Sequence, residues 1–513
     1  MKKIFKNILA ISAVLSMLFT GCKNELDLSP VSSLSDASYW QTADQFDAFV
    51  NGVYTRFRSH NANFMYLGEL RSDIFGTDPG STSTFTGEAT QGLERMWLQT
   101  LDADNSGVSG FGGFYTNINQ INLLINKLGT TSVLSDAKKK NYLGMAYGLR
   151  AFYYFQLYRS WGKTIIQLEP TTTVDVSNLA KAASSEAEVM ALIKSDIEQS
   201  NTNFGSDYTF NAKNKKGFWS KSATLMLKAE VYLWTAHRSG GTADATTAKT
   251  ALTDIQTNAG LNLINNYADV FAVANKDNNE MIFASKNKLD EATLGFIGNF
   301  VPQTGLIVNF YDSLANRKFD VTTDNYGGLL RAPTKIASYR KFSNLDLRKN
   351  LSIQAAYSRN TAGAYTIAGA FLKKYLGEQN GGNRVYTNDF PVYRYADLLL
   401  LLAEAKVMLG ESPATELNLV RARAYGANYN AATLGYPNQL VDSDANEAIL
   451  KERFLEFVGE GKRWYDLRRM GDNYVYEFTT LTTASAYKLL WPIDRSTLTN
   501  NRALTQNPGY PAF

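Results

Sequence analysis

The sequence predicts a mostly α-helical protein made of stacked helix pairs of the tetratricopeptide kind, interrupted by long irregular insertions. Three observations lead there. Apolar residues recur at three- and four-residue spacing over most of the 513 residues. Three helical segments share small alanines among bulky neighbours, and two long stretches rich in Gly, Thr, Ser, Asn and Asp break the helical spacing.

The first helix starts near Ala43, with Phe46, Phe49, Val50, Val53 and Tyr54 along one face. Further helices are predicted at 114–128, 137–161, 185–200, 219–237, 245–259, 395–409, 413–425 and 446–470. Ser135 or Asp136 and Ser184 or Ser185 supply N-caps, and Gly162, Gly240 and Gly410 supply C-terminal stops. The shared segments are Leu149-Arg150-Ala151-Phe152-Tyr153-Tyr154, Leu227-Lys228-Ala229-Glu230-Val231-Tyr232 and Leu402-Ala403-Glu404-Ala405. Alanine lets a partner helix approach closely, and the last two helices are each followed by a Gly-containing turn and a second helix, as in stacked hairpins. The competing arrangement is an irregular bundle of unrelated amphipathic helices. Irregular regions are predicted at 61–113 and 298–389, where only short alternating runs such as Leu351-Ser352-Ile353-Gln354-Ala355 occur, and at 471–513. Loops this long in a compact chain are commonly functional or partly disordered.

Residues 1–21 read as an export signal: Lys2, Lys3 and Lys6, an apolar run from Ile8 to Phe19, then Thr20 and Gly21 before Cys22. The apolar run is short for a bilayer span, and Cys22 is the only cysteine. Cleavage before Cys22 and lipidation of its thiol are therefore expected, followed by a polar tether over 22–42 and a single body over 43–513, its helical repeats at about 43–60, 114–297 and 390–470. An acylated Cys22 leaves no thiol for disulfides, nucleophilic catalysis or metal binding. Loss of the three leader lysines lowers the formal charge from +4 to +1, which argues against nucleic acid as a partner. No later segment is long and apolar enough to cross a membrane.

No cofactor or metal motif stands out. His60 and His237 have no ligand-spaced companions. Asp102-Ala103-Asp104-Asn105-Ser106-Gly107 begins like a calcium loop, but Gly113 stands where the bidentate Glu belongs. There is no nucleophile elbow, phosphate loop or dinucleotide fingerprint. Glu452, Glu456 and Glu460 are spaced i, i+4, i+8, as glycosidase carboxylates could be, although Arg453, Lys462 and Arg463 beside them suit ion pairing.

Asp389-Phe390-Pro391-Val392-Tyr393-Arg394-Tyr395-Ala396-Asp397, running on to Ala403-Glu404-Ala405, resembles the central signature of the SusD/RagB family of outer-membrane nutrient-binding lipoproteins. Tyr39-Trp40, Asn51-Gly52-Val53-Tyr54, Glu69-Leu70-Arg71-Ser72-Asp73, the Leu149 segment and Arg421-Ala422-Arg423 match in the same order. So do Glu452-Arg453, Glu456 and Glu460 through Arg469, Trp491-Pro492-Ile493 and Thr505 to Tyr510, with Asp494 departing from a common Pro. The resemblance spans nearly the whole mature chain. It implies a superhelix of tetratricopeptide-like pairs with an irregular ligand-binding face, no catalysis, attachment to the outside of the cell outer membrane, and a SusC-like TonB-dependent transporter as partner. The implied ligands are oligosaccharides, with peptides in some members.

Arg394, Glu404, Arg421, Arg423, Glu456, Arg463 and Asp466 are expected to form buried ion pairs, and Trp464 and Trp491 to fill the core. Ligand residues carry no family motif, so they are sought as loop aromatics beside polar partners, because a sugar's C–H face stacks on an aromatic ring. Trp97 with Glu94 and Arg95 comes first, then Tyr326 with Asp324, Tyr339 with Arg340, and Phe75 with Asp73 and Asp78. A surface glycoside hydrolase and a peptide- or protein-binding helical-repeat scaffold remain the alternatives to glycan capture.

Overall fold

The computed structural model describes residues 39–77, 85–108, 110–171, 180–213, 215–438, 440–442 and 444–512; the signal segment, Cys22, most of the tether and Asp78 lie outside them. The helices that organise the body are α1 (Ala43–Ser59), α2 (Asn61–Glu69), α3 (Gly110–Thr130), α4 (Asp136–Trp161), α5 (Glu186–Phe204), α6 (Lys221–Thr235), α7 (Gly241–Asn258), α8 (Tyr395–Met408), α9 (Ala414–Tyr425), α10 (Ala445–Phe457) and α11 (Arg463–Met470). From α3 to α7 each helix packs on the next, and α8 continues the stack against α7 before pairing with α9. This is the predicted mostly α, tetratricopeptide-like architecture.

The caps act as their chemistry predicts. Ser135 Oγ accepts from Lys138 N at 3.3 Å, and Ser185 and Glu188 form a reciprocal capping box. Gly162 and Gly410 follow their helices with φ of 76° and 72°. Gly240 is a correction: α6 passes into a π-helical turn, Ala236–Gly240, and the left-handed residue that ends it is Gly241 at φ 53°. Close helix contact uses glycine as well as alanine. A Cβ on Gly148 of α4 would meet the Trp219 indole at 2.0 Å, and one on Gly144 would meet the Phe204 ring at 2.8 Å.

Three boundaries differ from expectation, one being that 471–513, expected to be irregular, holds the short helices Asp472–Phe478 and Arg495–Asn500. The region from Asn61 opens with helix α2, whose inward residues Phe64, Met65 and Leu67 are buried. The predicted helix 446–470 is two helices, because Gly459 and Gly461 take φ of 81° and 70°, where a side chain is strained. The resulting turn receives α2. Glu69 Oε1 accepts from Gly459 N at 2.8 Å and its Oε2 from Lys462 N at 3.0 Å, which caps the start of α11 from another part of the chain. Complete burial outweighs these hydrogen bonds and pushes the Glu69 carboxyl up to about 8.

The region 298–389 holds most of the β structure. Strands β2 (Tyr311–Asp312), β3 (Arg317–Lys318), β4 (Ile353–Arg359) and β5 (Tyr365–Leu372) form one sheet in the order β3-β2-β4-β5. β1 (Met281–Ser285) pairs antiparallel with β8 (Phe390–Arg394), and β6 (Glu378–Asn380) with β7 (Asn383–Val385) forms a hairpin.

Candidate ligand-binding site

The six residues expected to meet a ligand all lie in the interior, none more than 7% exposed. Trp97, in the short helix Glu94–Trp97, packs its indole against Gly76. Phe75 stands edge-on to Phe300 at 4.9 Å, and Tyr326 edge-on to Phe371 at 4.8 Å. Asp73 bonds Arg463 Nε at 2.8 Å and Lys341 Nζ at 2.7 Å. Burial opposes its charge, but those two cations outweigh burial and hold the carboxyl well below the usual carboxylate range. Asp324 accepts from Arg317 Nη2 at 2.9 Å, and Tyr339 donates to Asn350 Oδ1 at 3.1 Å. The expectation of exposure is therefore corrected. Each aromatic ring turns inward, and Asp73 and Asp324 are each consumed by a cation.

A partly exposed aromatic cluster lies instead on the four-stranded sheet. Tyr311 of β2 pairs directly with Tyr357 of β4, and Arg359 of β4 pairs directly with Tyr365 of β5. Tyr357 and Arg359 are two residues apart, so the pleat places all four side chains on one face. The Tyr365 ring lies 5.9 Å from Tyr311 and 6.2 Å from Tyr357 between centroids, and the Arg359 guanidinium sits 5.3 Å from the Tyr365 ring. The hydroxyl of Tyr365 donates to Asn316 Oδ1 at 2.8 Å, which fixes the ring from the β2–β3 turn. Beneath, burial and the adjoining Tyr357 hydroxyl push the Tyr339 phenol up. Lys373 donates to Gln354 Oε1 at 2.8 Å, its amine lowered by burial.

Such a face offers aromatic planes to the C–H side of a sugar ring, with phenol hydroxyls and a guanidinium to meet its hydroxyls. Sequence reasoning missed Tyr311, Tyr357, Arg359 and Tyr365. The available signal was alternation: Tyr357-x-Arg359 and Tyr365-x-Ile367 flank a turn containing Gly363, the pattern of a hairpin.

The carboxylates considered for catalysis are buried in ion pairs. Arg348 Nη1 bonds Glu452 Oε1 at 2.7 Å and Glu456 Oε2 at 2.9 Å. Arg394 bonds Glu280 at 2.7 Å, Glu456 at 2.6 Å and Glu460 at 2.8 Å, and Arg423 reaches Glu280 and Glu456. Arg421 pairs with Asp442 and Glu452, Arg469 with Glu404, and Arg453 bridges Asp397 and Asp466. The expected ion-pair set is thus present, extended by Glu280, Asp346, Arg348 and Lys374, and Trp464 and Trp491 are fully buried. His60 bonds the Tyr153 hydroxyl and His237 bonds Glu404. Asp102 Oδ1 accepts from the backbone of Asp104 and Asn105, while Asp104 pairs with Arg495. Among the described residues no group of three or more His, Cys, Asp and Glu is placed to hold a metal ion.

A stack of tetratricopeptide-like helix pairs joined to an irregular half that carries a β-sheet is an architecture shared with SusD superfamily structures. NanU of B. fragilis is similar at 45% identity and a TM-score of 0.87, over 94% of this chain and 100% of that one. A SusD superfamily protein from Bacteroides vulgatus is 40% identical, with a TM-score of 0.85 over 92% and 100%. SusD-like protein P38 of Formosa agariphila is 26% identical over 99% of this chain and 100% of its own length. Residues 337–510 match the SusD family, and residues 26–233 match a family described as starch-binding associating with outer membrane. The chain belongs to the SusD/RagB family.

Proposed function

We propose that this chain is a non-catalytic surface lipoprotein that captures oligosaccharides and delivers them to a SusC-like TonB-dependent transporter in the outer membrane. The observation that carries the reading is the partly exposed face formed by Tyr311, Tyr357, Tyr365 and Arg359. The family description of residues 26–233, starch-binding and associated with the outer membrane, supports the ligand class and the location. In this reading Tyr339 and Asp324 hold the face in shape from the interior, and Trp97, Tyr326, Phe75 and Asp73 stabilise the loops around it.

Calorimetric titration with maltohexaose and laminarihexaose tests the capture step. Tyr365→Ala and Tyr311→Ala are each expected to weaken binding about tenfold or more, the range in which a central aromatic contact falls. Binding that is unchanged in both variants, or release of shorter sugars during the titration, would sink the proposal. The anchor is a separate expectation. Cys22→Ala should move the protein from the washed membrane pellet to the soluble fraction, and continued co-sedimentation would refute lipid attachment through that residue.

A further inference from the structure

Across the four-stranded sheet, Lys318 of β3 pairs directly with Tyr311 of β2, Tyr311 with Tyr357 of β4, and Tyr357 with Ile367 of β5. Directly paired residues point to the same side, so Lys318 joins Arg359 on the tyrosine face. Both cations are exposed, and the three rings are partly exposed. The Arg359 guanidinium stands 6.0 Å from the Tyr311 ring as well as 5.3 Å from that of Tyr365.

Nothing acidic answers these two charges. Arg359 donates its Nε to Gly363 O at 3.2 Å, and neither it nor Lys318 forms an ion pair among the described residues. The four strands hold a single acidic residue, Asp312. It follows Tyr311, so the pleat turns it to the other side of the sheet, and its Oδ1 accepts from Leu314 N at 3.0 Å. In the loop beyond β3, Asp324 is held by Arg317, and Asp320 Oδ1 accepts from Thr322 N at 2.8 Å and Thr323 N at 3.0 Å. A sugar hydroxyl can meet a guanidinium. A carboxylate or a sulfate instead matches its planar fork with charge-assisted hydrogen bonds, about twice as strong as neutral ones. Tyr311 and Tyr365 keep water from part of the guanidinium, which reduces the screening of such a contact.

We propose that the tyrosine face selects acidic oligosaccharides, those carrying a uronic carboxylate or a sulfate ester, over their neutral counterparts, and that Arg359 and Lys318 make the selection. The inference rests on the capture reading of this face and adds the charge of the ligand to it. Arg359 would hold the acidic group while the flanking rings cover the C–H side of the same sugar or its neighbour, and Lys318 would attract charge further along the chain.

Calorimetric titration of the full chain with β-1,4-linked mannohexaose and hexamannuronate tests this, because the two differ only in a hydroxymethyl group or a carboxylate on each ring. The acid is expected to bind about tenfold more tightly at low salt, and the preference should shrink as sodium chloride is raised. Tyr365→Ala should weaken both, which places the binding on this face. In Arg359→Gln the two hexasaccharides should bind nearly alike, and Arg359→Lys, which keeps the charge without the fork, should recover part of the difference. Lys318→Gln should reduce the preference about threefold. Chondroitin and chondroitin 4-sulfate hexasaccharides, which differ in sulfate alone, separate the two acidic groups: tighter binding of the sulfated one assigns sulfate, and equal or weaker binding assigns the carboxylate. Equal affinity for mannohexaose and hexamannuronate, or a preference that survives Arg359→Gln and Lys318→Gln combined, overturns the inference and leaves capture of sugars at this face standing. Failure of every hexasaccharide to bind, maltohexaose and laminarihexaose included, sinks both.

Discussion

Glu456→Ala is expected to lower the unfolding free energy by about 3–5 kcal/mol, the cost of removing one member of a buried charge network. Glu456 is fully buried and answers three guanidiniums, those of Arg348, Arg394 and Arg423. Without it, cationic groups drawn from loop 343–348, β8 and α9 remain packed together with less negative charge between them. Urea denaturation followed by circular dichroism measures the loss, and a change below 1 kcal/mol would show that the network relaxes around the gap. The same network sets the acid limit of the fold. Burial alone would neutralise Glu456 and Glu404, but the neighbouring arginines outweigh it and hold both carboxyls well below the ordinary range, and Asp397 is lowered to about 2 by Lys462 and Arg453 acting against burial. Because the folded values lie below the unfolded ones, this stabilisation is present in full above the unfolded carboxylate range and disappears as pH falls toward the folded values. The network's contribution to stability should hold from neutral pH down to about 4.5 and then drop steeply.

Gly68→Ala should cost about 3 kcal/mol or more, at the upper end for overpacking, because the obstruction is backbone that cannot rotate away. A Cβ at Gly68 would stand 1.7 Å from Gly461 O and 2.3 Å from Gly461 C. Moving α2 outward to relieve the clash would also pull Glu69 from its bonds to Gly459 N and Lys462 N. Gly52→Ala is the control. It lies inside α1 with nothing within 4 Å of the added carbon, so the usual helix preference should stabilise the protein by about 0.5–1 kcal/mol. Thermal and urea unfolding of the two variants should therefore move in opposite directions.

Much of the helical body is legible in the chain because the information is local. The spacing of Phe46, Val50, Val53 and Phe57 on α1, the cap at Ser185 and the alanines of α6 and α8 each depend on residues within a few turns. The split between α10 and α11 was also written locally, in Gly459 and Gly461, but the strong apolar spacing on either side obscured it.

What the sequence determined by itself was the mostly α fold, its repeat pairs, the cluster of charged signature residues and the family they belong to. Only the tertiary structure decided which loop aromatics face outward. Trp97 follows Glu94 and Arg95, and Tyr357 precedes Ser358 and Arg359, yet one ring is shut against Gly76 and the other shares a partly exposed sheet face with Tyr311 and Tyr365. The partner that closes the arginine network is likewise distant: Arg348 meets Glu452 from 104 residues away. Periodicity reports which side of an element is apolar, whereas exposure in an irregular segment depends on what another part of the chain lays over it.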